Sequence, residues 1–386
     1  MMIERIIKPM IKQAVLAKDS QAVIIYGPRQ AGKTTLIKAL ITELGGGVEY
    51  FTGDDLRVQE VFGRPDLSLL KRAIGLARLV VIDEAQRIEN IGLSMKLLID
   101  EAKVTVLASG SASFDLANKI SEPLTGRTKT FWLYPLAWQE SASVRQTLSL
   151  SSDLEENLRF GMYPKVQTLV GDKQKQEYLY EYINNYLHKD ILSFGEIRKP
   201  KKIMDLLSLL ALQIGKEVSI SELAQNLALS QPTVQNYLNI LEKMFVIVNL
   251  RGLSRNLRKE IYKTSKYYFT DVGVRNAVIR NFNNLNLRSD AGDLFENWFI
   301  MEKIKLAGNS RKFSNFFFWR TYDQQEIDLV EEESGQLAAF ECKWSDYKSA
   351  KVPKSWLLAY PKAKFRVVTS ENFFEYLQPR SLRARS

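Results

Sequence analysis

The stretch AVIIYGPRQAGKTTLIKAL, Ala22–Leu40, decides the fold. Five apolar or aromatic residues, Ala22–Tyr26, stop at Gly27, and a helical pattern opens after Gly32. Between them GPRQAGKTT, Gly27–Thr35, has the spacing Gly, four residues, Gly, Lys, Thr. A phosphate chain needs bare main-chain N–H donors pointing inward. Gly27 and Gly32 permit this sterically, and the start of a helix adds the positive end of its dipole. The spacing assigns Gly27, Pro28, Arg29, Gln30, Ala31, Gly32, Lys33, Thr34 and Thr35 to a nucleotide-binding loop. In it Lys33 reaches the β and γ phosphates and Thr34 ligates Mg²⁺. A Gly-rich turn that binds nothing is the rival, and it leaves the ordered run of strand, loop, Lys-Thr and helix unexplained.

Downstream, LVVIDEAQ, Leu79–Gln86, ends an apolar strand in two acids. Asp83 is expected to hold Mg²⁺ through water, and Glu84 to orient or deprotonate the attacking water. The next strand, VTVLAS, runs into GSAS and brings Ser109 or Ser111 to a strand end. There a hydroxyl either bonds the γ-phosphate or closes a polar turn, and Ser111 joins the expected catalytic set. LTGRTKTFWLYPL carries Arg127, an arginine finger for a neighbouring subunit or else a surface arginine.

Outward from these motifs, residues from about 20 to 140 alternate short apolar runs with helical patterns, the signature of βαβ units and a parallel sheet, and the domain is expected to span 1–140. GGGVEYFTGDD adds a strand after the first helix of the pattern. The chain has 386 residues, 45% of them hydrophobic and 25% charged, which suits two or three packed cores and excludes disordered and collagenous classes. No apolar run approaches the roughly 20 residues of a spanning helix, and MMIERIIKPMIKQ is too charged for a secretory signal, so a cytoplasmic protein away from membranes is expected. One cysteine, Cys342, and one histidine, His188, argue against internal disulfides, multi-histidine metal sites and histidine-based triads.

Together GPRQAGKTTL, VVIDEAQ, SGSAS and LTGR followed by YPLAWQE resemble a group of prokaryotic AAA-type ATPases with a C-terminal domain of formally unknown function. YPKV at Tyr163–Val166, SQPTVQNYLNILEKMFVI and KYYFTDVGV extend the resemblance over most of the chain. It implies an α/β fold: a P-loop, AAA-type parallel sheet with helices, followed by a winged helix-turn-helix and a small restriction-endonuclease-like α/β domain. It also implies use of ATP.

Residues 141–200 read as a helical lid or connector, with Tyr178, Tyr182 and Tyr186 on one helical face as packing residues. Residues 201–280 read as three helices and a strand pair, a winged helix-turn-helix. Ser230 would cap its second helix, and Gln231, Thr233, Gln235 and Asn236 suit base edges or phosphates. Arg251, Arg255, Arg258, Lys259, Lys263 and Lys266 cluster in the expected wing. Of the formal charge of +10, +7 falls between Glu196 and Arg280, fourteen Lys and Arg against seven Asp and Glu. That concentration favours a polyanionic partner, DNA, over a protein partner.

Residues 281–386 begin with an Asn-rich stretch and then read as a helix followed by strands, ending in the basic RSLRARS. Asp328 in EIDLV, Glu341 and Lys343 in FECKW, and Glu296 on the preceding helix look like the PD-(D/E)xK nuclease core. In that core the three acids bind Mg²⁺ and Lys343 activates or positions water. Cys342 faces away by strand alternation and is expected in the core. The resulting expectation is an ATP- and Mg²⁺-dependent ATPase, able to form a homo-oligomer, that couples nucleotide state to DNA. The alternatives are a nucleotide-gated protein-binding switch with an inactive nuclease-like domain and a metal-dependent DNase regulated by ATP.

Overall fold

Five strands, β1 (Ala22–Tyr26), β2 (Val48–Thr52), β3 (Leu79–Asp83), β4 (Thr105–Gly110) and β5 (Thr128–Trp132), form a wholly parallel sheet in the order β2-β3-β4-β1-β5. The structure is a computed structural model and describes residues 3–111, 120, 123–142, 150–187, 199–254, 265–321, 323–344 and 351–378. The chain divides into two compact units, Met1–Pro135 with Lys243–Phe245, and Leu136–Glu242 with Val246–Ser386.

In the first unit the inner strands β1, β3 and β4 are buried throughout, because helices cover both faces of the sheet. Val23, Ile25, Val81 and Leu107 pack on the helices Lys8–Val15 and Lys33–Leu44. The alternate residues Ala22, Ile24, Val80, Ile82 and Val106 pack against Phe62, Leu70, Met95 and Leu98 on the other face. Two-sided burial turns the expected alternation into continuous apolar runs, which is why AVIIY and LVVI read so plainly as strands. The segment expected as an extra strand, GGGVEYFTGDD, contains β2.

The second unit is built on a seven-stranded mixed sheet. Its strands are β6 (Glu217–Val218), β7 (Ile247–Gly252), β8 (Ser265–Phe269), β9 (Ser314–Arg320), β10 (Glu326–Glu333), β11 (Gln336–Lys343) and β12 (Lys364–Thr369), in the order β12-β11-β10-β9-β7-β8-β6. Three helices, Pro200–Leu212, Ile220–Leu227 and Gln231–Lys243, precede the antiparallel pair β7 and β8. Ser219 caps the second by accepting from Glu222 N–H. The turn into the third is three residues long, with Ala228 left-handed at φ 51° and the Ser230 hydroxyl accepting from Thr233 N–H at 3.3 Å. Segments 201–280 and 281–386 share this one sheet, because β7 pairs in parallel with β9 through Arg251 with Phe317 and Gly252 with Phe318. The helix Ala291–Asn309 packs on β8 and β11.

Of the basic residues expected in the wing, Arg255, Arg258, Lys259 and Lys263 lie outside the described residues, as do His188 and the basic end 380–386. Tyr182 is buried, with its hydroxyl 2.7 Å from that of Tyr163, a packing role as expected. No helix among the described residues is long and apolar enough to cross a membrane.

Candidate functional site

β1 delivers the chain to Gly27, where any Cβ would lie 2.1 Å from the backbone oxygen of Leu133, so only glycine fits. The loop then turns through two left-handed residues, Gln30 at φ 61° and Gly32 at φ 96°. Gly32 opens the helix Lys33–Leu44 with no side-chain cap, which leaves the positive end of that helix facing the loop. Lys33 is 5% exposed, and its Nζ donates to the carbonyls of Gly27 at 2.8 Å and Pro28 at 2.9 Å. An ammonium held by neutral carbonyls gains by exchanging them for charged phosphate oxygens. Arg5 fixes the same loop, donating from Nη1 to Ala31 O and from Nη2 to Tyr134 O, each at 2.7 Å. Sequence reasoning missed Arg5, since nothing in its local pattern points to a loop so far along the chain.

Asp83 closes β3 beside this loop. Its Oδ2 accepts from Thr34 Oγ1 at 2.6 Å and from the Tyr50 hydroxyl at 3.1 Å, and its Oδ1 from Ser109 Oγ. Burial and the adjacent Asp83 carboxylate push the Tyr50 hydroxyl well above its ordinary pKa, so it stays a donor. Tyr50 was not singled out in the sequence. Its place on β2, paired to β3 with Thr52 opposite Asp83, is the signal that reaches it. Ser109 is fully buried and committed to Asp83. Ser111 instead accepts from Gln86 Nε2 at 3.1 Å, and the same nitrogen donates to Glu84 Oε2 at 2.6 Å. Glu84 sits in the left-handed region at φ 52°, which turns the chain sharply off the strand.

Lys33, Thr34, Asp83, Glu84 and Ser111 are thus gathered at one end of the sheet, and Arg127 is not among them. β1 and β5 run in parallel register from Ala22 with Thr128 to Tyr26 with Trp132, so Arg127, just before β5, lies at the end opposite the loop. Its Nε pairs with Asp100 Oδ1 at 2.7 Å.

The second constellation lies in the second unit. Asp328 sits where the pairing of β10 with β9 shifts register, between Ile327 and Val330. Such a bulge re-aims a side chain. One step beyond the last registered pair of β10 and β11, Leu329 with Phe340, Asp328 and Glu341 come opposite each other. Asp328 Oδ2 accepts from Cys342 N–H at 2.7 Å, and Lys343 Nζ donates to Glu341 Oε1 at 2.7 Å. Glu296 Oε1 accepts from the Tyr268 hydroxyl at 2.6 Å and lies 3.7 Å from Lys266 Nζ, which also pairs closely with Glu326 Oε1. Cys342 is buried, as expected.

Lys266 corrects the sequence reading. Expected in an exposed wing, it is 2% exposed among carboxylates, because β8 lies between β7 and β6 with both faces largely covered. Burial, then Glu296 and Glu341, pushes the Asp328 carboxyl well above its ordinary pKa, and burial also raises Glu296. Burial works to lower the Lys266 ammonium, but Glu296, Glu326 and Asp328 prevail and raise it. The expected set of Glu296, Asp328 and Glu341 with Lys343 is therefore brought together, and Lys266 joins it. Among the described residues no group of three or more Cys, His, Asp or Glu side chains is arranged to hold a metal ion. Donors within the protein already hold an oxygen of each acid, and Lys266 brings its ammonium in among them.

Known proteins agree with this division. Residues 19–142 match the AAA domain AAA_14, 151–285 match a domain of unknown function, DUF8612, and 291–381 match another, DUF4143. The fold is similar to that of the Walker-type ATPase PABY2304 of Pyrococcus abyssi, with a TM-score of 0.52 and 17% identity, over 72% of this chain and 96% of that one. The chain is 26% identical over 298 residues to the uncharacterized protein MJ1544 of Methanocaldococcus jannaschii, covering 72% of this chain and 65% of the relative. It is 31% identical over 328 residues to the uncharacterized protein Rv2008c of Mycobacterium tuberculosis, covering 83% of this chain and 70% of the relative. With its nucleotide loop built on the parallel sheet and a DUF4143 segment at its end, the chain belongs to the family of AAA-domain P-loop proteins that includes Rv2008c.

Proposed function

We propose that the chain is a Mg²⁺-dependent ATPase of the cytoplasm whose nucleotide state governs its hold on DNA. The observation that carries the ATPase reading is the hydrogen bond between Thr34 and Asp83 at 2.6 Å, beside a buried Lys33. Thr34, expected to ligate a nucleotide-bound Mg²⁺, and Asp83, expected to hold it through water, already converge, so the residues fit the ion. Thr34 and Asp83 would hold the ion, and Mg²⁺ there would supply a positive charge that offsets the charge developing on the transferring phosphoryl group. Lys33 leaves the Gly27 and Pro28 carbonyls for the β and γ phosphates. Glu84, held by Gln86, orients the attacking water in line with the bond that breaks, and Ser111, which accepts from the same amide, offers a hydroxyl beside Glu84. Arg127, remote from its own chain's loop, serves the nucleotide of a neighbouring copy in a homo-oligomer.

The DNA reading draws on the pair of helices Ile220–Leu227 and Gln231–Lys243 with their three-residue turn, read as a winged helix-turn-helix. Gln231 is exposed at the start of the second helix, while Gln235 donates to Asn239 at 3.1 Å. The +7 charge of this segment is a second support. Lys266 among the carboxylates favours, within the alternatives, an inactive nuclease-like domain over a metal-dependent DNase.

ATP turnover and duplex binding by the full chain test the reading. Turnover that needs Mg²⁺ and vanishes in Lys33→Ala supports the ATPase. Duplex affinity that changes with nucleotide and falls steeply with salt supports the DNA role. No duplex binding at low salt, with turnover intact, leaves the protein-binding switch as the better reading.

A further inference from the structure

We propose that Lys266 is a tethered counter-ion of the carboxylate cluster, and that its ammonium, rather than a divalent metal, is what Glu296, Glu326 and Asp328 are built around in the native chain. The inference does not depend on the ATPase reading, because every residue it uses lies in the second unit. Asp328 is buried, Glu296 and Glu341 are nearly so, and Glu326 is partly exposed beside them, and like charges so placed cannot all ionise without cations among them. Two lysines answer them. Lys343 is given to Glu341, and Lys266 reaches both Glu296 and Glu326. Arg320, with Nη1 3.0 Å from Glu217 and Nε 3.8 Å from Glu326, lies at the edge of the same group. The Lys266 ammonium also stands 5.5 Å from the centre of the Phe318 ring, a cation–π contact that helps place it.

A divalent ion among these carboxylates would meet the Lys266 ammonium at short range, where two positive charges repel strongly in a low dielectric. Ammonium and metal therefore exclude each other. The lysine is an incomplete substitute, however. It does not satisfy Glu341 Oε2, which is buried without a hydrogen-bond partner. Removing the ammonium leaves oxygens of Glu296, Asp328 and Glu341 together with an unmet demand for positive charge, a donor set suited to a hard cation.

Electron paramagnetic resonance of Mn²⁺ titrated into the nucleotide-free full chain tests this. Asp83→Asn is present in every arm, so that the nucleotide loop adds no metal. The chain with Lys266 is expected to hold no Mn²⁺ that depends on Asp328. Lys266→Ala gains one bound Mn²⁺ per chain, its melting temperature rises on adding Mn²⁺, and Lys266→Ala with Asp328→Asn loses both effects. Lys266→Met, which keeps the packing on Phe318, replaces the alanine if that variant fails to fold. Two results overturn the proposal. One is Mn²⁺ bound to the Lys266 chain and lost in Asp328→Asn, an arm that needs no change at position 266. The other is a folded Lys266 variant that binds no Mn²⁺.

Discussion

In the first unit Asp83 takes its hydrogen bonds from three hydroxyls, those of Thr34, Tyr50 and Ser109, whereas in the second unit Glu296 and Glu326 are answered by the ammonium of Lys266. Both places combine lysine, carboxylate and hydroxyl. A hydroxyl is neutral and rotates, so a carboxylate satisfied by hydroxyls can accept a cation and let the donor turn to another acceptor. An ammonium carries the charge that the cation would bring, so a carboxylate satisfied by lysine has no electrostatic reason to exchange it. The lysines differ in the same sense. Lys33 rests on two neutral carbonyls, and Lys266 on acids. Placement of the charge separates a site ready for a ligand from one already filled.

The comparison breaks first at Lys33. If its carbonyl contacts are placeholders, Lys33→Ala lowers ATP turnover by about 10²–10³-fold while leaving the melting temperature in place. A folded Lys33→Ala chain with unchanged turnover would remove the distinction between the two lysines.

Asp290 sharpens the contrast inside the second unit. It lies between Arg275 and Arg288, whose side chains are almost wholly buried, with Arg288 Nη2 2.8 Å away. Burial works to raise the Asp290 carboxyl, but the two guanidiniums overcome it and hold it down at about 2. Asp328, facing other acids, moves the opposite way. A carboxylate with a depressed pKa contributes stability that is complete above its unfolded pKa, about 3.9, and is lost as pH falls through the folded value. Asp290→Asn should cost about 3 kcal/mol at neutral pH by stranding two buried cations, and should flatten the loss of stability between about pH 4 and pH 2. Chemical unfolding across that range measures both effects.

How much of this the sequence reveals follows from how local each feature is. The loop Gly27–Thr35 and the acids Asp83 and Glu84 are legible because strand, turn and helix are neighbours in the chain, and two-sided burial writes the inner strands as apolar runs. The four residues of the nuclease-like pattern also come together as read. Lys266 was misread for a physical reason. It stands in a basic segment, which normally means solvent, and β8 is buried on both faces, so no alternation separates an inward lysine from an outward one. The parallel pairing of β7 with β9, which joins that strand pair to the last four strands, links residues far apart in the chain and leaves no local trace.

Tyr268 tests the donors of the second site. Tyr268→Phe removes the hydroxyl that donates to Glu296 at 2.6 Å and leaves Lys266 as the main partner of that carboxylate. A hydrogen bond to a buried charge predicts a loss of about 1.5–2 kcal/mol, read from denaturant unfolding. A neutral result would mean that the ammonium alone satisfies Glu296.

Arg127 has the smallest expected effect on stability and lies outside both sites. It is a partly exposed residue, 41% for the side chain, paired with Asp100, and exposed pairs contribute little, so Arg127→Ala should change stability by about 0.5 kcal/mol or less. Turnover is the informative readout. A surface arginine leaves it unchanged at every protein concentration. An arginine that serves a neighbour's nucleotide lowers it, and mixing then distinguishes the cause. Chains with Lys33→Ala have a disabled loop but an intact Arg127, and chains with Arg127→Ala have the reverse. In a mixed assembly an intact loop can meet an intact arginine across an interface, so activity should return on mixing although neither variant is active alone. If both variants are inactive and the mixture stays so, Arg127 does not act in trans; if Arg127→Ala alone keeps full turnover, the ion pair with Asp100 describes its role.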